Sequence, residues 1–215
     1  MQKLFFTCSL LITGFFAFGQ DSLASQDPRP PSFFLSLDYG KVATLPLDFE
    51  TKMEAGMGFR IGKHLSPVVY GGISTLNPEN AISNGSYESS GWYLRAGLEY
   101  TLFIDQRNSF ILGLRYAQST FTEDAAYTVT SELFDNVTGE LSREDLNARW
   151  AEVVIGSEMR MGESRFYMGG YFTLRILAER DEFSPVDTYA IPGYGRTTDK
   201  TVPALQLYMK FALIR

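Results

Sequence analysis

From Trp92 to Leu102 every even position is apolar, while Tyr93, Arg95, Gly97, Glu99 and Thr101 hold the odd ones. Successive side chains of a strand point to opposite faces, so residues 91–102 predict a strand with one greasy face and one face carrying two full charges. The same alternation recurs along the chain. In residues 32–40, Phe33, Leu35, Leu37 and Tyr39 alternate with Phe34, Ser36 and Asp38; in residues 53–62, Met53, Ala55, Met57, Phe59 and Ile61 alternate with Glu54, Gly56, Gly58 and Arg60. Residues 67–76 read as a strand whose Val68-Val69-Tyr70 does not sort by parity. Residues 109–119 set Phe110, Leu112, Leu114 and Tyr116 against Ile111, Gly113, Arg115 and Ala117. Residues 149–161 set Ala151, Val153, Ile155 and Met159 against Glu152, Val154, Gly156, Glu158 and Arg160. Residues 165–178 set Phe166, Met168, Phe172, Leu174 and Ile176 against Tyr167, Gly169, Tyr171 and Arg175. Residues 205–213 close the chain, with Leu205, Leu207, Met209 and Phe211 against Gln206, Tyr208 and Lys210. The pattern predicts eight strands.

The connections between them alternate in length. Residues 62–66, 103–108 and 162–164 are short, whereas residues 40–52, 77–90, 121–148 and 179–200 are long. Antiparallel barrels of the outer membrane have this asymmetry, with tight periplasmic turns and longer outer loops, and strands of about ten residues span their apolar band. The predicted fold is therefore all-β, an eight-stranded antiparallel up-and-down transmembrane β-barrel with short periplasmic turns and long outer loops. Aromatic positions agree with that orientation. Phe33, Phe59, Tyr100, Phe110, Phe166 and Phe211 fall near the periplasmic strand ends, and Tyr39, Trp92 and Tyr116 near the outer ends, as two interfacial girdles require.

The polar parity then faces inward. It places Asp38, Glu54, Glu99, Glu152 and Glu158 in the lumen with Arg60, Arg95, Arg115, Arg160, Arg175 and Lys210. An eight-stranded barrel is just wide enough for side chains to fill, so these charges are expected to pair and to leave no open pore. Pairing is required, because a buried charge without a partner costs several kcal/mol. Tyr93, Tyr167, Tyr171 and Tyr208 are expected to fill the space between, with inward glycines making room.

Composition adds targeting. Residues 1–19 carry Lys3, an apolar run and Ala17-Phe18-Gly19 before Gln20, the pattern of a secretory signal peptide. Residues 20–31, ending Asp27-Pro28-Arg29-Pro30-Pro31, read as a periplasmic tether, because proline continues neither ladder nor helix. Residues 32–215 make up the barrel. Cys8, the sole cysteine, falls in the signal, so the exported part has no disulfide framework. Loss of Lys3 with the signal moves the formal charge from -6 to -7, against nucleic acid as a partner.

Catalytic constellations are scarce. His64, the single histidine, sits in a short periplasmic turn and leaves no Ser-His-acid arrangement at the outer rim. Nothing resembles a metal cluster or a phosphate loop, and no cofactor is expected. The outer loops are acidic, with Glu123, Asp124, Glu132, Asp135, Glu140, Glu144 and Asp145 in the third and Glu179, Asp181, Glu182, Asp187 and Asp199 in the fourth. They are expected to be solvated surface, with divalent cations held by their carboxylates as the alternative. Ile191-Pro192-Gly193-Tyr194-Gly195 reads as a Pro-Gly turn folding over the barrel mouth, and residues 127–133 as an extension of the fifth strand beyond the membrane.

With these residues in hand, the chain resembles a family of small outer-membrane barrels from Bacteroidetes whose function is uncharacterised. The similar pieces are Gly113-Leu114-Arg115-Tyr116, Ala148-Arg149-Trp150-Ala151-Glu152-Val153-Val154-Ile155-Gly156 and Ile191-Pro192-Gly193-Tyr194-Gly195. The resemblance implies fold, compartment and phylum, and brings no activity or site. Asp21-Ser22-Leu23 is similar to an O-glycosylation acceptor of that phylum, and the ending Leu213-Ile214-Arg215 departs from the aromatic ending common in outer-membrane barrels. The expected function is a non-enzymatic, monomeric, charge-plugged barrel in outer-membrane lipid, with a structural or interaction role through its outer loops or tether toward other envelope proteins. Two alternatives stand beside it. A soluble, lipocalin-like carrier requires the apolar parity to face inward, and a narrow pore requires an open lumen.

Overall fold

A computed structural model describes residues 33–40, 50–78, 81–82, 84–129, 137–183 and 187–214. The predicted signal peptide and tether, including Cys8, lie outside these residues, as do Glu132 and Asp135. The described residues form ten strands: β1 (Phe33–Asp38), β2 (Glu50–Phe59), β3 (Leu65–Leu76), β4 (Gly85–Phe103), β5 (Asn108–Val129), β6 (Val137–Arg160), β7 (Phe166–Arg180), β8 (Ala190–Ile191), β9 (Gly195–Arg196) and β10 (Thr201–Ile214). Eight of them close a ring in the order β1-β10-β7-β6-β5-β4-β3-β2, every neighbour antiparallel, while β8 and β9 make a separate hairpin.

The two parities go where an inverted barrel needs them. Leu94, Leu98 and Leu102 on β4, Leu112 and Leu114 on β5, Ile155 on β6 and Phe172 on β7 all face outward and stay exposed. Trp92 keeps 50% of its surface accessible. Inward lie Asp38, Glu54, Arg95, Glu99, Arg115, Glu152, Glu158, Arg175 and Lys210, all buried. β3 resisted sorting because its inward positions are themselves apolar: Val68 and Tyr70 pack on the inward Phe34 of β1. Gly56 makes that cluster possible, since a Cβ there would lie 2.2 Å from the Tyr70 ring.

Three strands run well past their predicted ends. β5 has 22 residues and β6 has 24, so most of the third long loop is two paired strands, and β4 begins at Gly85 rather than Gly91. Hydrophobic alternation stops there while the backbone ladder continues, because the outward face turns polar through Ser86, Glu88, Ser90, Thr120, Thr122 and Asp124. Glu123, Asp124, Glu140, Glu144 and Asp145 are thus strand residues, a correction to their assignment as loop. The protruding three-stranded blade has its own small core of Tyr87, Ala125 and Ala190, with Ala81, Ile82, Leu141 and Tyr189 against it.

Candidate functional site

The lumen is filled by ion pairs and tyrosines stacked along the barrel. At the short-turn end the Lys210 ammonium meets Glu158 at 2.5 Å, the Tyr208 hydroxyl donates to the same carboxylate at 3.2 Å, and the ammonium rides 4.3 Å from the Phe34 ring. Further in, Glu99 accepts from Arg115 Nη2 at 2.6 Å, from the Tyr70 hydroxyl at 3.0 Å and from the Tyr171 hydroxyl at 3.3 Å. The Arg115 guanidinium is held between the Tyr70 and Tyr171 rings, 4.3 and 4.7 Å from their centroids, and Tyr171 stacks on Tyr208 at 4.1 Å. A flat guanidinium gains from nearby aromatic rings while one of its N–H groups holds the carboxylate.

The next carboxylate is a hub. Glu152 has Arg95 Nε at 3.3 Å, Arg175 Nε at 3.6 Å and Arg115 Nη1 at 3.9 Å, and accepts from Trp150 Nε1 at 2.8 Å. Glu54 pairs with Arg95 at 3.1 Å and Lys52 at 3.3 Å and accepts hydrogen bonds from Tyr93 and Gln206. Lys52 is a lumenal residue that the sequence reading put in a loop. It shares the inward parity of Glu54 two residues on, which is the signal that finds it. With it, five buried acids (Asp38, Glu54, Glu99, Glu152, Glu158) face five buried cations (Lys52, Arg95, Arg115, Arg175, Lys210).

Two predicted members stand apart. Arg160 donates from Nε to the Ser164 carbonyl at 3.1 Å and from Nη2 to the Glu163 carbonyl at 2.8 Å, so it caps a short turn. Arg60 donates to the Lys63 carbonyl at 3.5 Å and lies 5.0 Å over the Phe103 ring. Both occupy the short-turn rim, where turn carbonyls lack ladder partners.

At the long-loop end a turn of the chain meets the lumenal side chains. The β8–β9 hairpin dips between the strands, and its tip carbonyls are acceptors for the lumenal cations: Arg95 Nη2 donates to Gly193 O and Arg175 Nη1 to Tyr194 O, each at 2.8 Å. Ile191 and Tyr194 are fully buried with Tyr93, Ala117, Phe121, Leu146, Ala148 and Trp150, and the Tyr194 ring meets Trp150 edge-on at 5.6 Å. Pro192 and Gly193 are buried too, and Gly195 half-buried. Gly193 has φ of 81° and lies against the Tyr93 ring, where a Cβ would come within 2.4 Å, so both backbone and space demand glycine. The motif therefore goes deeper than a cover over the mouth. Above it, Glu123 is fully buried and accepts from Arg143 Nη1 at 3.3 Å and Thr188 Oγ1 at 3.2 Å, tying the blade to the hairpin's approach. Burial raises the Tyr87 phenol beside it well above its usual range.

The predicted girdle residues are outward or at strand ends. Phe33 pairs with Phe59 and Phe166 with Phe211, the second pair in ring contact at 4.9 Å, and Tyr100 stacks on His64 at 5.2 Å, all at the short-turn end with Phe110. Trp92 stands at the other end, opposite Ile73, and Tyr39 follows β1 there. Tyr116 pairs with Ala96, midway along β4 between Trp92 and Tyr100, so its register puts it midway along the outward apolar row rather than at its end. His64 Nδ1 is 2.8 Å from the Thr101 carbonyl, a turn contact. Among the described residues no three His, Cys, Asp or Glu side chains group as metal ligands would.

Compared with known proteins, the chain matches over residues 5–209 a family model described as a domain of unknown function (DUF6048). No curated protein and no solved structure matches it.

Proposed function

The chain belongs to the DUF6048 family, and from that footing we propose that it is a non-enzymatic barrel of the outer membrane in Bacteroidetes, sealed along its lumen, whose role is structural or interactive and is exercised through the blade at its long-loop end. The observation that carries this reading is the height of the outward apolar face. On β4 it runs from Trp92 to Leu102 and gives way to Ser90, Glu88 and Ser86 beyond. Ten steps of about 3.3 Å, tilted near 45°, make about 23 Å, against an apolar band of ~25 Å in outer-membrane barrels. A soluble protein rarely exposes so continuous an apolar belt. The carrier alternative needs a greasy interior, and the inward face here holds ion pairs; the pore alternative needs a passage, and the hairpin tip fills it. Ion pairs bridging six strands, β2, β4, β5, β6, β7 and β10, hold the ring together and suit a rigid anchor.

Cell fractionation and a gel-shift assay test the proposal. The protein is expected with the outer-membrane fraction, migrating faster before boiling than after. Recovery in the soluble periplasm with unchanged migration would refute it.

A further inference from the structure

Among the described residues, the blade has a strand edge with no neighbour. β7 last pairs with β6 at Arg180 and Ala148, whereas β6 continues outward along β5 to Val137. Among the described residues, the backbone of residues 137–142 pairs with β5 alone. Such an edge presents N–H and C=O groups ready for another strand. Six residues span about 20 Å. Asp145, with φ of 55°, and the register shift beside it end the regular run toward the barrel.

The two faces of this edge differ. On the outward face Glu88 lies opposite Asp124, which lies opposite Ser142, and Glu140 follows beside Ala126. These three carboxylates line a cleft of about 570 Å³, and none of the ion pairs among the described residues involves them. Like charges directly opposed across strands are unfavourable until a cation joins them. The inner face is apolar: Tyr127 crosses Gly139, flanked by Leu141 and by Val137, which is 62% exposed. A second copy of this chain would bring its own Glu88, Asp124 and Glu140 to the same cleft.

We propose that residues 137–142 of β6 receive an extended segment of a partner protein as an added strand, with basic side chains on the outward face beside Glu140 and reaching toward Asp124 on the next strand, and apolar side chains on the other face beside Leu141 and Val137. Main-chain pairing supplies affinity and the alternation supplies specificity. The inference rests on the interaction role proposed above and names its surface. It does not depend on the bilayer.

The test uses the full chain in detergent and a fluorescent heptapeptide alternating lysine and valine, read by anisotropy. Expected are saturable binding weakened at least tenfold by replacing lysine with glutamate, a similar loss on N-methylating alternate peptide bonds, and a loss of fivefold or more in the D124N/E140Q variant. That variant should keep the heat-dependent gel shift, so a folding defect is excluded. Absence of binding, equal binding of the N-methylated peptide, or occupation of the edge by a second copy would overturn the proposal. A chain that binds the peptide yet fails to enter vesicles would sink the membrane reading alone.

Discussion

Glu152 carries the clearest residue-scale consequence. It is buried facing Arg95, Arg115 and Arg175, and removing one member of a buried charge set leaves the others uncompensated. Glu152→Ala should destabilise the barrel by about 3–5 kcal/mol, read as a lower urea midpoint in detergent. The exposed pair of Arg149 and Glu179, at 3.2 Å, is the internal control. Arg149→Ala should cost about 0–1 kcal/mol in the same assay. A further residue titrates outside the band. Asp105 accepts from the Asn108 side chain, then from the backbone N–H groups of Arg107 and Asn108, which hold its carboxyl below the usual aspartate range. A depressed pKa in the folded state means the turn's contribution is present above the unfolded value, about 3.9, and is lost as pH falls through the folded one. Carboxyl NMR titration should place its midpoint below that of an unfolded peptide.

At the scale of elements, the plug hairpin and the blade decide how the molecule behaves, and they are what the sequence conceals best. The barrel strands were legible because one of their faces is uniformly apolar. Lys52 was not, since it turns into the lumen one residue before the apolar outward row of β2 begins at Met53. The blade is equally opaque: Ser86, Glu88, Thr122 and Asp124 alternate polar with buried residues, a weak contrast next to Leu against Arg. The Pro-Gly motif was visible as a turn, but its depth follows from two arginines on distant strands reaching for its carbonyls. Gly193→Ala should drive the tip away from Tyr93. With Trp92→Phe in the background, Trp150 is the single tryptophan, and its emission should shift to the red with greater acrylamide quenching in the Gly193→Ala variant. Unchanged emission would mean the hairpin tolerates a Cβ and is not held as described.

For the whole molecule, the question is which solvent the outward face meets. A soluble barrel and a membrane barrel share this ring of antiparallel strands and differ in the direction of the apolar parity, which here points out on every barrel strand. Trp92 and Trp150 report on the two sides of one wall: the first half-exposed at one end of the belt, the second fully buried against Tyr194. Reconstitution into vesicles whose acyl chains carry bromine near the headgroup measures the contrast directly. Trp92, observed in a Trp150→Phe variant, should be strongly quenched, while Trp150, observed in a Trp92→Phe variant, should be quenched little. Equal, weak quenching of both, with the protein remaining outside the vesicles, would contradict the account.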